Sequence, residues 1–258
     1  MSSAVQAVRA FYTSLIAGDS TGLTFMFGGP PKIDTPIEGT VEGSASLQRF
    51  ATEQKSWLSE RQAEVEEVAV TETPKAAVAE ILLHLKQDDE EIELPVALIA
   101  DIAGGMVLWL RIYHGTRSLS ATSGVREPLL KRGTRLGEPK PIKDYFAALR
   151  KPDKKKVLSL FNPDGQVREA AGESVSHAGA EELDRFYSGA LAKGGIPMVQ
   201  CSAIFDGERC AIEYNCDCSQ SATLPPQAGC AVFEMDSEEK ISSVQIYDDI
   251  APLSGTGA

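Results

Sequence analysis

Two polar residues at equivalent positions are the first candidates for chemistry in this sequence. His114 and Asp248 each follow a row of alternating apolar residues, which are Leu108, Leu110 and Ile112 for the first and Val244 and Ile246 for the second. Alternate side chains of a strand share a face, so each polar group is expected to end an apolar face. An imidazole or a carboxylate placed there can transfer protons inside an apolar pocket. The alternative is a polar strand end that faces water.

The second half of the chain repeats the first. Phe11 aligns with Tyr145 and Tyr113 aligns with Tyr247, which is an offset of 134 residues at both ends of the repeat. A constant offset predicts the same structural unit twice. The boundaries that follow are domain 1 at residues 1–115, a linker at 116–141 and domain 2 at 142–252.

Each copy has the pattern of an α+β domain. An amphipathic helix opens it, followed by a short second helix, an extended piece and a third helix that begins after Gly43 or Gly179. Four strands separated by turn residues come next. We therefore expect two tandem domains, each with three helices packed on one face of a curved antiparallel sheet.

Composition excludes several classes of function. The 258 residues include 37 acidic residues and 25 lysines and arginines, a net charge of −12. Nucleic acids and anionic membrane surfaces would be repelled by this charge. Neither a signal peptide nor an apolar run of membrane-spanning length is visible. The expectation is a soluble cytoplasmic protein that binds neither nucleic acid nor membrane.

Five cysteines all lie after residue 200, at positions 201, 210, 216, 218 and 230. Their odd number and the lack of a secretion signal favour buried structural thiols over a disulfide framework. The Cys216–Cys218 spacing does not match a zinc site. No metal and no cofactor is predicted.

The linker carries basic residues that could bind an anion: Arg117, Arg126, Lys131, Arg132, Arg135 and Lys140. Runs of like charge are usually solvated surface. We expect the linker to rest on the acidic surface of the protein, with anion binding as the alternative.

The Phe-Tyr and Ala-Gly-Asp opening, the glycine that leads the third helix and the closing Arg-Ile-Tyr-His and Gln-Ile-Tyr-Asp strands resemble the nuclear transport factor 2-like superfamily. Within it, the SnoaL-like polyketide cyclase and ketosteroid isomerase group is most similar. The resemblance covers both halves and implies a cone fold with an apolar pocket. It also implies two domains that pack through their sheets as an internal pseudo-dimer, with a homodimer possible. Because the superfamily includes enzymes and proteins that only bind or dimerise, the resemblance does not decide the activity.

The resemblance assigns roles to three residues. SnoaL-like cyclases have an aspartate on the last strand that acts as the general base, and Asp248 matches its position. His114 occupies the equivalent position in domain 1. Asp34 lies nine residues before the glycine of the third helix, where ketosteroid isomerases have their proton-shuttling aspartate. Two departures weaken steroid-type isomerisation: the oxyanion-hole tyrosine of the family falls on Phe11, and Ala170 replaces Asp34 in the second copy.

Three functions are therefore open. The first is a cofactor-free acid–base enzyme, an isomerase, cyclase or hydrolase, acting on a small apolar metabolite. The second is a non-catalytic protein that binds a hydrophobic ligand or serves as a scaffold. The third is a polyether-type epoxide hydrolase/cyclase that pairs Asp34 with Glu60 or Glu64. Residues expected beside the pocket are Tyr12, Trp57, Tyr113, His177 and Tyr247.

Glu80 and Glu213 are mid-strand acids at nearly equivalent positions of the two copies. Acids inside a strand need partners. Arg111 or Gln245 on a neighbouring strand could supply them, so we expect structural pairs on the convex face of the sheet.

Overall fold

The computed structural model describes residues 3–87, 90–116, 119, 126–170, 175–216 and 226–248. Arg117 and Cys218 lie outside these residues. The chain divides into two compact units, residues 1–121 (unit 1) and 122–258 (unit 2). Residues 126–139 of the predicted linker belong to unit 2 and hydrogen-bond to its strands; for example, Ala228 N–H donates to the carbonyl oxygen of Arg126 (2.9 Å).

Unit 1 is a layer of helices on a six-stranded sheet. Its helices are α1 (Ser3–Arg9), α2 (Phe11–Ala17), α3 (Ser20–Phe25) and α4 (Ser44–Glu60). Its strands are β1 (Lys32–Thr35), β2 (Gly39–Glu42), β3 (Glu64–Thr73), β4 (Ala76–Gln87), β5 (Glu90–Ala103) and β6 (Met106–Tyr113). The strand order is β2-β1-β6-β5-β4-β3. The expected four-stranded meander is present, and the extended piece joins it as β1, parallel to β6.

Unit 2 repeats this arrangement. Its helices are α5 (Lys140–Arg150), α6 (Lys154–Leu160) and α7 (Gly179–Ala190). Its strands are β7 (Phe161–Arg168), β8 (Ser176–Ala178), β9 (Met198–Phe205), β10 (Arg209–Cys216), β11 (Gln227–Met235) and β12 (Ile241–Ile246). The order β8-β7-β12-β11-β10-β9 matches that of unit 1 strand for strand. The structure is therefore α+β, with one copy of the same unit in each half.

Local sequence signals recur at the same places in both units. The side chain of Asp19 caps α3 by accepting from Gly22 N–H (2.8 Å), and Asp153 caps α6 through Lys156 N–H (2.9 Å), as acceptors at helix starts do. Gly43 has φ +83°, a conformation that a side chain disfavours. The opening helix of unit 1, expected to be continuous, divides at Ala10 into α1 and α2.

Alternation along the strands separates two faces of each sheet. The inner face packs against the helices; on β4 it carries Ala77, Ala79, Ile81 and Leu83, which share one apolar core with helix residues. The outer face carries the residues in between, such as Val78 and Glu80, which are also buried. A strand buried on both faces reads as a continuous apolar run, as β4 and β5 do. Among the described residues, no helix has the length and apolarity needed to cross a bilayer.

Candidate functional site

Unit 1 contains a cavity of about 110 Å³ between its helices and the inner face of its sheet. Its apolar lining comes from Ile37, Phe50, Trp57, Leu83, Leu94, Ile112 and Leu119, and its polar lining from Tyr12, Thr35, Glu38, Gln54 and His114. Apolar walls with a few convergent polar groups are typical of ligand sites. Three of the residues predicted from the sequence, Tyr12, Trp57 and His114, meet here.

Glu38 is the carboxylate of this cavity, and sequence reasoning missed it. Thr35 Oγ1 donates to one carboxylate oxygen (2.5 Å) and Gln54 Nε2 donates to the other (2.6 Å). Glu38 N–H in turn donates to Thr35 Oγ1 (2.9 Å), which closes the turn between β1 and β2. These bonds fix an exposed acid at the cavity mouth. The available signal was Thr-Pro-Ile-Glu, a turn sequence with a hydroxyl three residues before an acid.

The Tyr12 phenol is the hydrogen-bond donor of the cavity. Burial, and then the negative charge of Glu38, raise the pKa of Tyr12 well above its ordinary value, so the hydroxyl stays protonated. Within the described part of the chain, no group is hydrogen-bonded to this hydroxyl. The neighbouring ring of Phe11 packs edge-on against Tyr12 (5.7 Å between centroids) and is fully buried. Of these two adjacent aromatic residues, Tyr12 lines the cavity.

His114 follows the last residue of β6 and lines the cavity beside Ile112. Its side chain is largely buried. Nδ1 lies 2.9 Å from the carbonyl oxygen of Gly115. Because a carbonyl only accepts, Nδ1 carries a proton in this contact.

Asp34 does not line this cavity. It lies on β1 between Ile33, which belongs to the inner core, and Thr35, which lines the cavity, so its own side chain is on the outer face. There Thr40 Oγ1 (2.5 Å) and the indole N–H of Trp109 donate to its carboxylate. The spacing from the glycine placed Asp34 on the expected strand, but alternation turns it away from the pocket.

The surroundings of Asp34 form a polar network. The Trp109 ring lies between Lys32 Nζ (4.2 Å) and the Arg111 guanidinium (4.5 Å). Arg111 forms a two-bond ion pair with Asp101 (2.9 and 3.0 Å). Two hydrogen bonds and two cation–π contacts are the usual means of stabilising buried charge.

Tyr113 and Tyr247 alternate with the inner-face residues and lie on the outer faces of their sheets, so neither lines the cavity. Arg168 donates to the hydroxyl of Tyr247 (3.3 Å). The two mid-strand acids, Glu80 and Glu213, are fully buried on the same faces, and Ser202 donates to Glu213 (2.5 Å). These contacts indicate that Tyr247 and Glu213 stabilise the outer face of their sheet.

Asp248 occupies the position in unit 2 that His114 has in unit 1. It is buried on the inner face and accepts a hydrogen bond from the hydroxyl of Tyr214. Burial and the charge of Asp248 raise the pKa of Tyr214 far above its ordinary value. A Cβ on Gly229 would lie 2.4 Å from the Tyr214 ring and 2.5 Å from an Asp248 oxygen. This carboxylate is held in a tightly packed position.

His177 lies on β8, where its Nε2 is 3.0 Å from a carboxylate oxygen of Glu169. Its ring stacks on Phe186 of α7 (4.5 Å, 28°). Both side chains of the ion pair are mostly buried. The pair has the components of an acid–base dyad, although it is separate from the cavity of unit 1.

Aromatic rings fill the inner region of unit 2. Tyr145 and Phe146 repeat the edge-on geometry of Phe11 and Tyr12 (5.6 Å, 86°), with the hydroxyl on the first ring instead of the second. The Tyr145 hydroxyl is 3.0 Å from that of Tyr187, and both are buried. In unit 1 the tyrosine of this aromatic pair lines a cavity, whereas in unit 2 its hydroxyl is hydrogen-bonded to that of a second buried tyrosine.

Three cysteines, Cys201, Cys210 and Cys230, are free and buried, as expected. Burial raises the pKa of the Cys210 thiol to about 12, which keeps it protonated and unreactive. Cys216 is disulfide-bonded, which corrects the prediction of a free thiol at this position. An odd number of cysteines excludes complete pairing but allows one bridge. In the described ranges, no group of three or more His, Cys, Asp or Glu residues is placed to hold a metal ion.

No protein-family model matches this chain, and no curated protein does. Solved structures do resemble it. An NTF2-like protein of unknown function from Burkholderia pseudomallei K96243 is 14% identical, with 46% of this chain and 95% of that chain aligned at a TM-score of 0.40. A protein designated a SnoaL-like polyketide cyclase, from Jannaschia sp. CCS1, is 15% identical over 43% of this chain and 83% of its own (TM-score 0.37). An LEH-like epoxide hydrolase from M. tuberculosis is 20% identical over 43% and 80% (TM-score 0.34).

Proposed function

We propose that unit 1 binds a small, largely apolar organic molecule in its cavity and transfers a proton on it. The observation that carries this proposal is one cavity wall that combines apolar side chains with a protonated phenol, Tyr12, and an imidazole, His114. The Tyr12 ring belongs to the buried core of unit 1, and its hydroxyl adds a polar group to the cavity lining. Together they are the two parts that proton abstraction beside a carbonyl requires.

Each polar group has a role in this reaction. Tyr12 donates a hydrogen bond to the carbonyl oxygen and to the enolate oxygen that forms from it. In a β,γ-unsaturated ketone, His114 Nε2 removes the proton from the carbon between the carbonyl and the double bond and returns it to the γ-carbon of the resulting dienolate, which completes an isomerisation. The negative charge of Glu38 at the same cavity stabilises the imidazolium formed in between. A cyclisation would use the same enolate as a carbon nucleophile.

Epoxide opening by Asp34 with Glu60 or Glu64 has less support. Asp34 is on the outer face, bonded to Thr40 and Trp109. Glu60 and Glu64 are exposed, and Ser56 donates to Glu60 (3.2 Å). An epoxide in the cavity would meet none of these three carboxylates.

Binding without turnover is the second candidate, and the cavity volume limits the ligand in both cases. About 110 Å³ is below the 300–1,000 Å³ typical of sites for drug-sized ligands. The enclosed space accommodates a single ring or the apolar end of a larger molecule. A protein that holds such a group in order to sequester it would need Tyr12 as an anchor and would not need His114.

The experiment uses the full chain with cyclohexanone in D₂O, followed by proton NMR. Line broadening of the ketone reports binding, and loss of the signal beside the carbonyl reports proton exchange. We expect both, with exchange slowed by about 10²–10⁴-fold in His114→Gln and unchanged in the matched control His177→Gln. Broadening with no exchange above buffer would overturn the enzymatic proposal in favour of binding. No broadening of cyclohexanone would contradict both.

A further inference from the structure

A second cavity, of about 480 Å³, lies entirely within unit 2. One wall is a stripe of α5, formed by Lys143, Ala147 and Arg150, at the spacing of a single helix face. The facing wall is residues 132–138, which we call the strap, and Gln200 of β9 lies between them. The cavity is unrelated to the inner face, because the buried residues of α5 are on its other side.

The strap is anchored to the edge of the sheet. Gly133 N–H donates to the carbonyl oxygen of Gln200 (3.1 Å), and Asn215 Nδ2 donates to that of Leu130 (2.9 Å). A Cβ on Gly133 would lie 2.6 Å from the backbone oxygen of Cys201, so only glycine allows this approach. The cavity is thus a built feature of unit 2 and not a gap beside a loose connection.

Its lining is strongly basic on an acidic protein. Arg132, Arg135, Lys143 and Arg150 face one acid, Glu138. Elsewhere in the chain arginines hold carboxylates within 3 Å, as in the pairs Arg9–Glu67 and Arg209–Glu234. Within the described residues, Arg132, Arg135 and Lys143 have no such partner, and Arg150 donates to the carbonyl oxygen of Met198 (2.8 Å). Four exposed cations and a single acid, Glu138, therefore line this space.

Gln200 also lines the cavity and has an unsatisfied side-chain amide. Its amide nitrogen is buried, and among the described residues nothing accepts a hydrogen bond from it. A buried donor without an acceptor costs about 1–3 kcal/mol. An oxyanion in the cavity would neutralise the guanidinium groups that line it.

We propose that this cavity binds a phosphorylated small molecule. The lining has a net charge of +3, which suits a ligand with two or three negative charges in a small volume, and a phosphate ester or diphosphate carries them where a carboxylate carries one. The volume is in the range of sites for small metabolites, and larger than inorganic phosphate needs. A nucleic acid strand fits less well, because beyond the cavity it would meet the field of a chain with charge −12.

Isothermal titration calorimetry of the full chain with pyrophosphate and with ADP tests this proposal. Arg132→Gln/Arg135→Gln removes two cavity cations. Lys131→Gln/Lys151→Gln removes two exposed cations outside the lining, so the net charge of the two variants is equal. We expect saturable binding by the wild-type chain, at least about tenfold weaker in the arginine variant and changed less than about twofold in the lysine variant.

Three results would overturn the proposal. The first is no saturable binding of either probe. The second is equal weakening in the two variants, which would mean diffuse attraction to net charge and not a site. The third is binding of a single-stranded oligonucleotide that depends on Arg132 and Arg135 while neither small probe binds. Tighter binding of ADP than of pyrophosphate would support an organic phosphate as the occupant.

Discussion

The buried tyrosine pair of unit 2 predicts that the free energy of unfolding of that unit falls at alkaline pH. Burial raises the pKa of Tyr145 to about 12, although its hydrogen bond with Tyr187 acts in the opposite direction. The ordinary value is about 10. Since the folded protein holds this proton more tightly than the unfolded chain, the stabilisation is complete below pH 10 and is lost as the pH rises through 12. Each pKa unit corresponds to about 1.4 kcal/mol, so the loss is about 3 kcal/mol.

Tyr145→Phe removes the contribution of Tyr145 to this dependence, while Tyr187, whose pKa burial also raises, keeps its own. At pH 8 the variant leaves the buried Tyr187 hydroxyl without this partner, which lowers the free energy of unfolding by about 1–3 kcal/mol. Above pH 10 the wild-type protein loses its Tyr145 contribution and the variant has none to lose. The difference between the two proteins should therefore shrink by about 1.4 kcal/mol per pH unit and vanish between about pH 11 and pH 12.

Urea unfolding between pH 8 and 11.5, followed by the near-ultraviolet circular dichroism of tyrosine, measures this difference. Both tryptophans, Trp57 and Trp109, belong to unit 1, so their fluorescence follows that unit separately. The matched control is Phe233→Leu, which loosens the ring packed on Tyr145 (5.3 Å) without adding or removing a titrating group. Its destabilisation should be constant with pH. A constant destabilisation by Tyr145→Phe over the same range would refute the reasoning.

Three further substitutions test other parts of the structure. Gly229→Ala places a methyl group against the Tyr214 ring, and we expect about 2 kcal/mol less stability in urea unfolding; a change below about 0.5 kcal/mol would contradict the packing. Asp34→Asn weakens two hydrogen bonds, so unfolding followed by tryptophan fluorescence should show a free energy of unfolding lower by about 1–3 kcal/mol. Ketone binding should be unchanged. Weaker ketone binding at unchanged stability would show that Asp34 belongs to the site. Gly133→Ala places a methyl group against the Cys201 carbonyl oxygen and moves the strap away from it. The affinity for pyrophosphate, measured by calorimetry, should fall about tenfold or more. Retained affinity would show that the position of the strap does not matter for binding.

The fold could be predicted from the sequence because the duplication repeats the sequence signals that begin and end each helix and strand. The Asp19 and Asp153 caps, the glycines with positive φ before the long helices and the turn residues between strands all recur at matched positions. Strand alternation also placed His114 on the inner face without any contact information. The short strands β1 and β2 were harder, because four residues carry too little periodicity to show that they pair with a sheet.

The residues of the site were harder to predict from the sequence than the fold. Asp34 was chosen by its distance from a glycine, a criterion that fixes the strand but not the face. Tyr12 became visible as the donor only when the structure showed which of two adjacent rings faces the cavity. Glu38 is on a turn among exposed residues, and its role comes from Thr35 and Gln54, the second of which is 16 residues away. The spacing of residues along the sequence does not show which side chains that far apart are in contact.

The rate of proton exchange in Tyr12→Phe tests the central claim most directly. The change deletes one oxygen and keeps the ring, so the shape of the cavity should be retained and cyclohexanone binding should weaken only by the loss of one hydrogen bond, which saturating ketone offsets. If Tyr12 stabilises an enolate oxygen, the exchange rate measured by NMR in D₂O should fall by about 10²–10³-fold, as for loss of an oxyanion-hole donor. An exchange rate equal to that of the wild-type protein, with ketone binding intact, would contradict the account.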